Sequence, residues 1–446
     1  MSAPWSPAVT VVGAGLAGSE AALQLARFGV PVRLLEMRPE TPTPAHQTGE
    51  PAEIVCSNSL KSTVLSTASG CLKQEMGLLG CRLLDLARDA SVPAGAALAV
   101  DKAEFSRRVR QALEQDPNIR LETGQVQELP AREGHLWLVA SGPLTSPPLI
   151  EQIGRLTGQP ALHFFDAIAP TVTTESLDTG ILFRAARYGK GDSDYWNAPL
   201  DQQQYENLHR ELLAAQKAEV HDFDRADLFD GCRPIEEIAA GGLQTMAFGP
   251  LRPVGLKDPR TGQRPHAVIQ LRQENLEGTL FGLVGFQTRL KYGEQKRVFR
   301  QIPGLERAEF VRFGQMHRNF YLDTPRCLAA DFSVPARPDV FLAGQITGVE
   351  GYVESMASGL VAALRMVARL REKPWEDLPR ETMMGALLEG FLFDRTSGRL
   401  APMNANFGLL PDLQQRVRGK KERKEAKAHR ALDAMTRWCQ ASSLID

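Results

Sequence analysis

A glycine turn near the start of the chain constrains the fold more than any other feature. Ala8-Val9-Thr10-Val11-Val12 is a short β-branched run. Gly13-Ala14-Gly15-Leu16-Ala17-Gly18 follows, and Ser19 to Arg27 is then rich in Ala and Leu. Gly29 stops this helix, and Val30 to Glu36 reads as a second strand ending in an acid. Strand, glycine turn, helix, strand and acid in this order make the βαβ unit that binds dinucleotides. Gly13 permits the tight turn, Gly15 admits a pyrophosphate to the backbone, and Gly18 lets helix pack on strand. The helix start at Leu16 and Ala17 offers N–H groups and a partial positive charge to phosphates. Glu36 stands where a carboxylate accepts ribose hydroxyls, about 20 residues on.

The chain of 446 residues is long enough for two or three domains. Its formal net charge of −1 excludes a global field for nucleic acid, so any such contact needs a local patch. Cys56, Cys71, Cys81, Cys232, Cys327 and Cys439 are scattered, with no metal-binding spacing. No leader and no membrane-spanning run is read, which predicts a cytoplasmic protein with reduced thiols.

Residues 38–54 are rich in Pro, Thr and Gly and read as a loop over a bound nucleotide. Val55-Cys56-Ser57-Asn58-Ser59-Leu60-Lys61-Ser62 sets a thiol among small polar residues. Two readings stand: a buried structural thiol, or one whose pKa is lowered by Lys61 and backbone N–H groups. Gly70 to Ala90 reads as one helix, and Asp101 as the cap of another. Leu121 to Gln127 and His135 to Ala140 read as strands, and Ala161 to Ala167 as a strand returning to the nucleotide sheet. Beyond Thr171 come a helix from Gln203 to Val220 and short strands at Gln244 to Phe248, Ala267 to Arg272 and Thr279 to Phe286. This organisation predicts residues 1–170 as a nucleotide domain, 171–325 as an α+β insertion, and 326–446 as the second part of the first domain with a basic tail.

Pro338 to Gly348 is again a strand running into glycine, with Gly344, Gln345 and Gly348 at its end. A helix from Ala357 to Leu370 follows. This pair matches the second cofactor segment of FAD enzymes, where a helix N-terminus faces the flavin and favours its anionic reduced form. The two segments together point to FAD rather than NAD as the resident cofactor. The fold class predicted is α/β, a Rossmann-like FAD-binding domain of glutathione-reductase type interrupted by an α+β insertion. Near the end, Arg416, Arg418, Lys420, Lys421, Arg423, Lys424, Lys427 and Arg430 face only Glu422 and Glu425. Such a run is either a solvated helix face or a contact for a phosphate backbone.

Several long strings then converge. Val55 to Ser62, Asp194-Tyr195-Trp196-Asn197-Ala198-Pro199-Leu200, Gly231-Cys232-Arg233-Pro234-Ile235-Glu236 and Val284-Gly285-Phe286-Gln287-Thr288 are four of them. Met316-His317-Arg318-Asn319 and Pro402-Met403-Asn404-Ala405-Asn406-Phe407-Gly408 are two more. Together they resemble the folate- and FAD-dependent tRNA (uracil-5-)-methyltransferase family. The resemblance implies ribothymidine formation in the T-arm of tRNA. Methylenetetrahydrofolate is then the carbon donor, FAD the hydride carrier, and NADH or NADPH the reductant. It implies catalytic roles for Cys232, attacking uracil C6, and Cys56, beside the flavin, in an order that is open. Glu236 becomes a candidate proton acceptor and Arg289 a candidate pterin-stacking residue. His317-Arg318-Asn319 becomes a folate or RNA contact, and Lys61 and Arg187 join the tail as candidate phosphate contacts. No membrane and no obligate protein partner is implied. A different flavin oxidoreductase, a wobble-uridine modifying flavoprotein and a non-catalytic RNA-binding flavoprotein are the alternatives.

Overall fold

The computed structural model describes residues 5–189, 193–219, 233–396 and 398–442. The first strand, β1 (Val9–Val12), is buried along its whole length, as a parallel strand covered on both faces must be. It lies between β2 (Val32–Glu36) and Leu136–Val139, both parallel to it. Ile119–Thr123 extends the sheet beyond β2, and Arg337–Leu342 extends it on the other side. Ser333–Val334 closes that edge as an antiparallel strand, giving a sheet of six. The chain order reverses about β1, and the crevice at the carboxyl ends of such strands is where these sheets bind ligands.

Helix α1 (Leu16–Arg27) packs on the long helix Tyr352–Leu370, and the contact is made by backbone. A Cβ on Gly359 would lie 2.1 Å from the Ala17 carbonyl oxygen, and one on Gly18 would lie 1.9 Å from that of Gly13. Both helices therefore begin beside the same crevice. The buried carboxylate of Glu20 caps a third helix, Arg82–Asp89, by accepting from the N–H groups of Arg82 (3.2 Å) and Leu83 (2.8 Å).

A second six-stranded sheet is wholly antiparallel and runs in the order Phe183–Arg184, Tyr195–Leu200, Ala267–Gln273, Leu280–Leu283, Thr171–Thr173, Phe310–Arg312. It has its own apolar core, including Val172, Tyr205, Ile269, Phe286 and Phe299. Leu162–Ala167 does not return to the nucleotide sheet. It pairs antiparallel with Met316–Tyr321 in a separate ribbon, through which the chain enters and leaves the second sheet. Two other expectations are corrected. Gly80, at φ +75°, splits Gly70 to Ala90 into helices Ala68–Leu78 and Arg82–Asp89. Thr245–Phe248 is a short helix and not a strand. Asp101 caps its helix as expected, accepting from the Glu104 N–H at 2.9 Å.

Adding one methyl group at Gly359 forces the two long helices apart, since the atom it meets is backbone. Gly359→Ala is expected to destabilise the protein by about 1–3 kcal/mol in urea unfolding. Gly77→Ala, on an exposed helix position where a Cβ meets nothing, is expected to be neutral or to stabilise by up to about 1 kcal/mol.

Candidate functional site

A cavity of about 490 Å³ opens at the carboxyl ends of the parallel strands. Gly13, Gly15, Leu16 and Ala17 form one wall, and Gly344 and Gln345 another. A Cβ on Gly15 would meet no atom within 4 Å, so this backbone is open to a ligand, and no side chain caps the α1 N-terminus. Ala14, Gly18 and Gly348 are not on the wall. Ala14 holds Glu36 through its N–H, Gly18 is consumed in packing, and Gly348 turns against Leu400.

Glu36 lines the cavity but is already engaged. Its Oε2 accepts from the Ala14 N–H at 2.9 Å, and its Oε1 from Arg38 Nε at 2.9 Å and Arg38 N–H at 3.1 Å. A carboxylate has about four acceptor positions, so one on Oε2 is left for a ribose hydroxyl. Burial works to raise the Glu36 pKa, but Arg38 and the two backbone N–H groups outweigh it and hold the carboxyl below its usual range. Sequence reasoning overlooked Arg38, which lies at the edge of a loop rather than in a motif. It also binds Glu53 (3.0 Å) and the carbonyls of Thr48 and Glu50, so it ties the 38–54 loop across the cavity.

On the opposite wall, Gln345 Nε2 donates to Glu350 Oε2 at 2.5 Å. Burial, with Asp166 nearby, pushes the Glu350 carboxyl up to about 8. Gly351, at φ +116°, starts the helix Tyr352–Leu370, whose first residues face the cavity. His46 and His317 also line it, and burial pushes both down to about 4. The buried His317 Nε2 has no hydrogen-bond partner, as expected of a group that awaits a ligand. Asn319 lines the cavity as well, whereas Arg318 alternates to the other face of its strand and lines a smaller cavity with His163.

The Cys56 thiol is half-buried on the cavity wall, with Sγ 3.6 Å from the Ala167 carbonyl oxygen. Its segment is clamped from several sides. The Cys56 N–H donates to the Tyr352 hydroxyl (2.8 Å), and its carbonyl accepts from Lys102 Nζ (3.0 Å). Arg272, on the second sheet, donates to Asn58 Oδ1 (2.7 Å) and Ser57 Oγ (2.5 Å), and Asn58 donates to the Gln273 carbonyl (2.9 Å). Lys61 does not serve the thiol. It pairs with buried Glu354 at 2.9 Å. Burial, then Asp166, pushes the Cys56 thiol up to about 12 against the opposing charge of Lys102, which does not favour the reading of a lowered thiol.

Cys232 lies outside the described residues. Just after it, the Ile235 N–H donates to the carbonyl of Gln287, a cavity residue, at 2.7 Å. Glu236 is not on the wall. It is buried and accepts from Thr288 Oγ1 (2.8 Å) and the Arg289 N–H (2.9 Å), so it braces a turn. Arg289 binds Glu237 at 2.8 Å and is not on the wall either. Arg187 binds Gln270 at 2.8 Å and the carbonyls of Arg252 and Val254. In the tail, Arg416, Arg418, Lys420, Lys421, Arg423 and Lys424 are exposed. Lys427 is buried and donates to the carbonyls of Phe407 (3.4 Å) and Leu410 (3.0 Å), which withdraws it from any nucleic-acid surface. No helix among the described residues is long and apolar enough to cross a membrane.

The family model described as Glucose inhibited division protein A matches residues 8–374. A relative from Desulfitobacterium hafniense, named methylenetetrahydrofolate--tRNA-(uracil-5-)-methyltransferase TrmFO, is 52% identical over 98% of this chain and 99% of its own. Relatives of the same name from Desulforamulus reducens and Aquifex aeolicus are each 50% identical over 98% of this chain, covering 99% and 97% of their own. Among solved structures, Aquifex aeolicus GidA superposes with a TM-score of 0.70 at 16% identity, over 98% of this chain and 76% of that one, which bears on the fold alone. The chain belongs to the GidA family and, within it, to the TrmFO methyltransferases.

Proposed function

We propose that this protein transfers the one-carbon unit of methylenetetrahydrofolate to C5 of a T-arm uridine in tRNA, with FAD resident in the cavity and NADH or NADPH as reductant. The observation that carries this reading is the Cys56 thiol on the wall of the cavity that Gly13, Gly15, Leu16 and Ala17 also line. The residues present fit FAD: an open backbone at Gly15, a spare acceptor on Glu36, an orphaned His317 Nε2, and two helix N-termini at one cavity. Bound there, FAD supplies the hydride that completes the methyl group.

Uracil C5 is a poor nucleophile until a thiolate adds at C6. We assign that addition to Cys232, and to Cys56 the steps nearest the flavin. Tyr352 and Lys102 hold the Cys56 backbone and Arg272 holds the side chains of Ser57 and Asn58 after it, so this thiol needs no rearrangement to stay at the wall. With its pKa at about 12, Cys56 is a thiol and not a thiolate at neutral pH. It acts as a nucleophile only when a base or the assembled complex removes its proton. Arg416, Arg418, Lys420, Lys421, Arg423 and Lys424 are assigned to tRNA phosphates on the support of their exposure. The division into 1–170, 171–325 and 326–446 is supported by the separate cores of the two sheets. The place of action proposed is the cytoplasm, with thiols reduced.

The decisive assay incubates the protein with unmodified tRNA, methylenetetrahydrofolate and NADPH and measures ribothymidine. Cys56→Ala and Cys232→Ala are each expected to abolish it while the protein stays yellow; full activity in either refutes that residue's role. Gly15→Val is expected to fold, because the added side chain enters open space, and to lose FAD; retained flavin absorbance sinks the pyrophosphate cradle. Peptide-resolved alkylation of Cys56 by iodoacetamide is expected to rise about tenfold per pH unit from 7 to 10 without a plateau. A plateau near neutrality would mean that the thiol is activated at rest.

A further inference from the structure

The second-sheet unit carries a patch, off the cavity lining, that neither the flavin nor the thiols use. Residues 243–266 hold four exposed cations, Arg252, Lys257, Arg260 and Arg264, against the single acid Asp258, in a chain whose net charge is −1. Asp258 is committed to Arg260 at 2.7 Å. Large apolar groups stand in solvent among these cations: Phe248 is 81% exposed and Tyr188 59%. One exposed ring would mean little, but exposed rings set among cations with no free acid make a patch that a partner can use.

The patch is built rigidly and is tied to the cavity. The Tyr205 hydroxyl donates to the Leu243 carbonyl and accepts from the Ala247 N–H at 3.2 Å, fixing the short helix that presents Phe248. Two residues on, Pro250 packs against Gly285, a cavity residue, so closely that a Cβ there would lie 2.5 Å from Pro250 Cβ. Arg187 bridges Gln270 of the sheet to the carbonyls of Arg252 and Val254, and the Tyr188 ring lies against Gly255. The Val284 N–H, also at the cavity, donates to the Gln270 carbonyl at 2.9 Å. The aromatic and cationic groups thus sit on a frame continuous with the cavity wall.

We propose that the surface formed by Tyr188, Phe248, Arg252 and Lys257 docks a single-stranded RNA loop, stacking bases on the rings and holding phosphates with the cations. Unpaired bases offer flat faces that aromatic side chains stack on without regard to sequence, while a duplex hides them. Four cations beside exposed rings, with the one acid among them already paired to Arg260, suit a polyanion whose bases can stack. The proposal rests on tRNA being the substrate and adds which face of the protein receives its loop. A loop held here rests on the same frame that carries the cavity residues Val284 and Gly285.

The test measures binding of unmodified tRNA to the FAD-loaded protein by filter retention across salt concentrations, with the KM for tRNA and the tRNA-independent NADPH oxidation rate alongside. Phe248→Ala is expected to weaken binding about tenfold and raise KM similarly, while Phe248→Trp retains both. Arg252→Gln with Lys257→Gln is expected to lower the slope of log K against log salt by about two. Flavin content and NADPH oxidation are expected to be unchanged, which shows that the exposed substitutions leave the fold intact. Unchanged affinity, KM and salt slope in these variants, with wild type binding and methylating tRNA, overturns the docking surface and leaves the reaction standing. Failure of wild type to bind tRNA at all overturns the underlying reading instead. Equal losses for Phe248→Ala and Phe248→Trp would exclude stacking and also count against the proposal.

Discussion

Everything at the site depends on two places where backbone meets backbone. Gly18 lets α1 begin against the first turn, and Gly359 lets the helix Tyr352–Leu370 press onto α1 at Ala17. No side chain fits at either point. The consequence is electrostatic: two helices start at one cavity, so two helix N-termini and two partial positive charges converge there. A fold that tolerated a methyl group at these points would hold the helices apart and divide that field between two places.

The second sheet completes what the parallel sheet begins. The parallel sheet carries a dinucleotide cradle, but the thiol segment is positioned largely from outside it. Arg272 and the Gln273 carbonyl, both on the second sheet, reach Ser57 and Asn58, the two residues after Cys56. The ribbon of Leu162–Ala167 and Met316–Tyr321 links the sheets and itself contributes Asp166, His317 and Asn319 to the cavity. Residues from the parallel sheet, the ribbon and the thiol segment thus line one cavity, with the second sheet holding the thiol segment in place.

Residues 9–36 are legible because one local rule decides each element. β1, the turn, α1 and β2 follow from β-branching, glycine spacing and an Ala/Leu run that all agree. Legibility ends where partners are distant. The segment Leu-His-Phe-Phe-Asp-Ala reads as a strand, but nothing local says that it pairs with Met316–Tyr321. Gln244 to Phe248 is too short for period to separate strand from helix. Lys61 is five residues from Cys56, yet its φ of +63° and the register shift in its strand send its ammonium to Glu354. Lys427 was legible and overlooked: it adjoins the buried stripe Ala428, Ala431, Met435 and Trp438, spaced as one helix face, and counting charges hid that period.

The raised thiol pKa fits this division of labour. With its pKa raised by burial and by Asp166, Cys56 stands as a thiol rather than a thiolate at pH 7. Lys102 donates to the Cys56 carbonyl and pairs with Glu274, so it positions the backbone rather than ionising the sulfur. A thiol held beside a redox cofactor gains from staying protonated, because oxidation and stray alkylation both require thiolate. The protein thus fixes where the sulfur stands and leaves its charge state to the complex it forms with substrate, a separation that geometry can enforce and sequence spacing alone cannot.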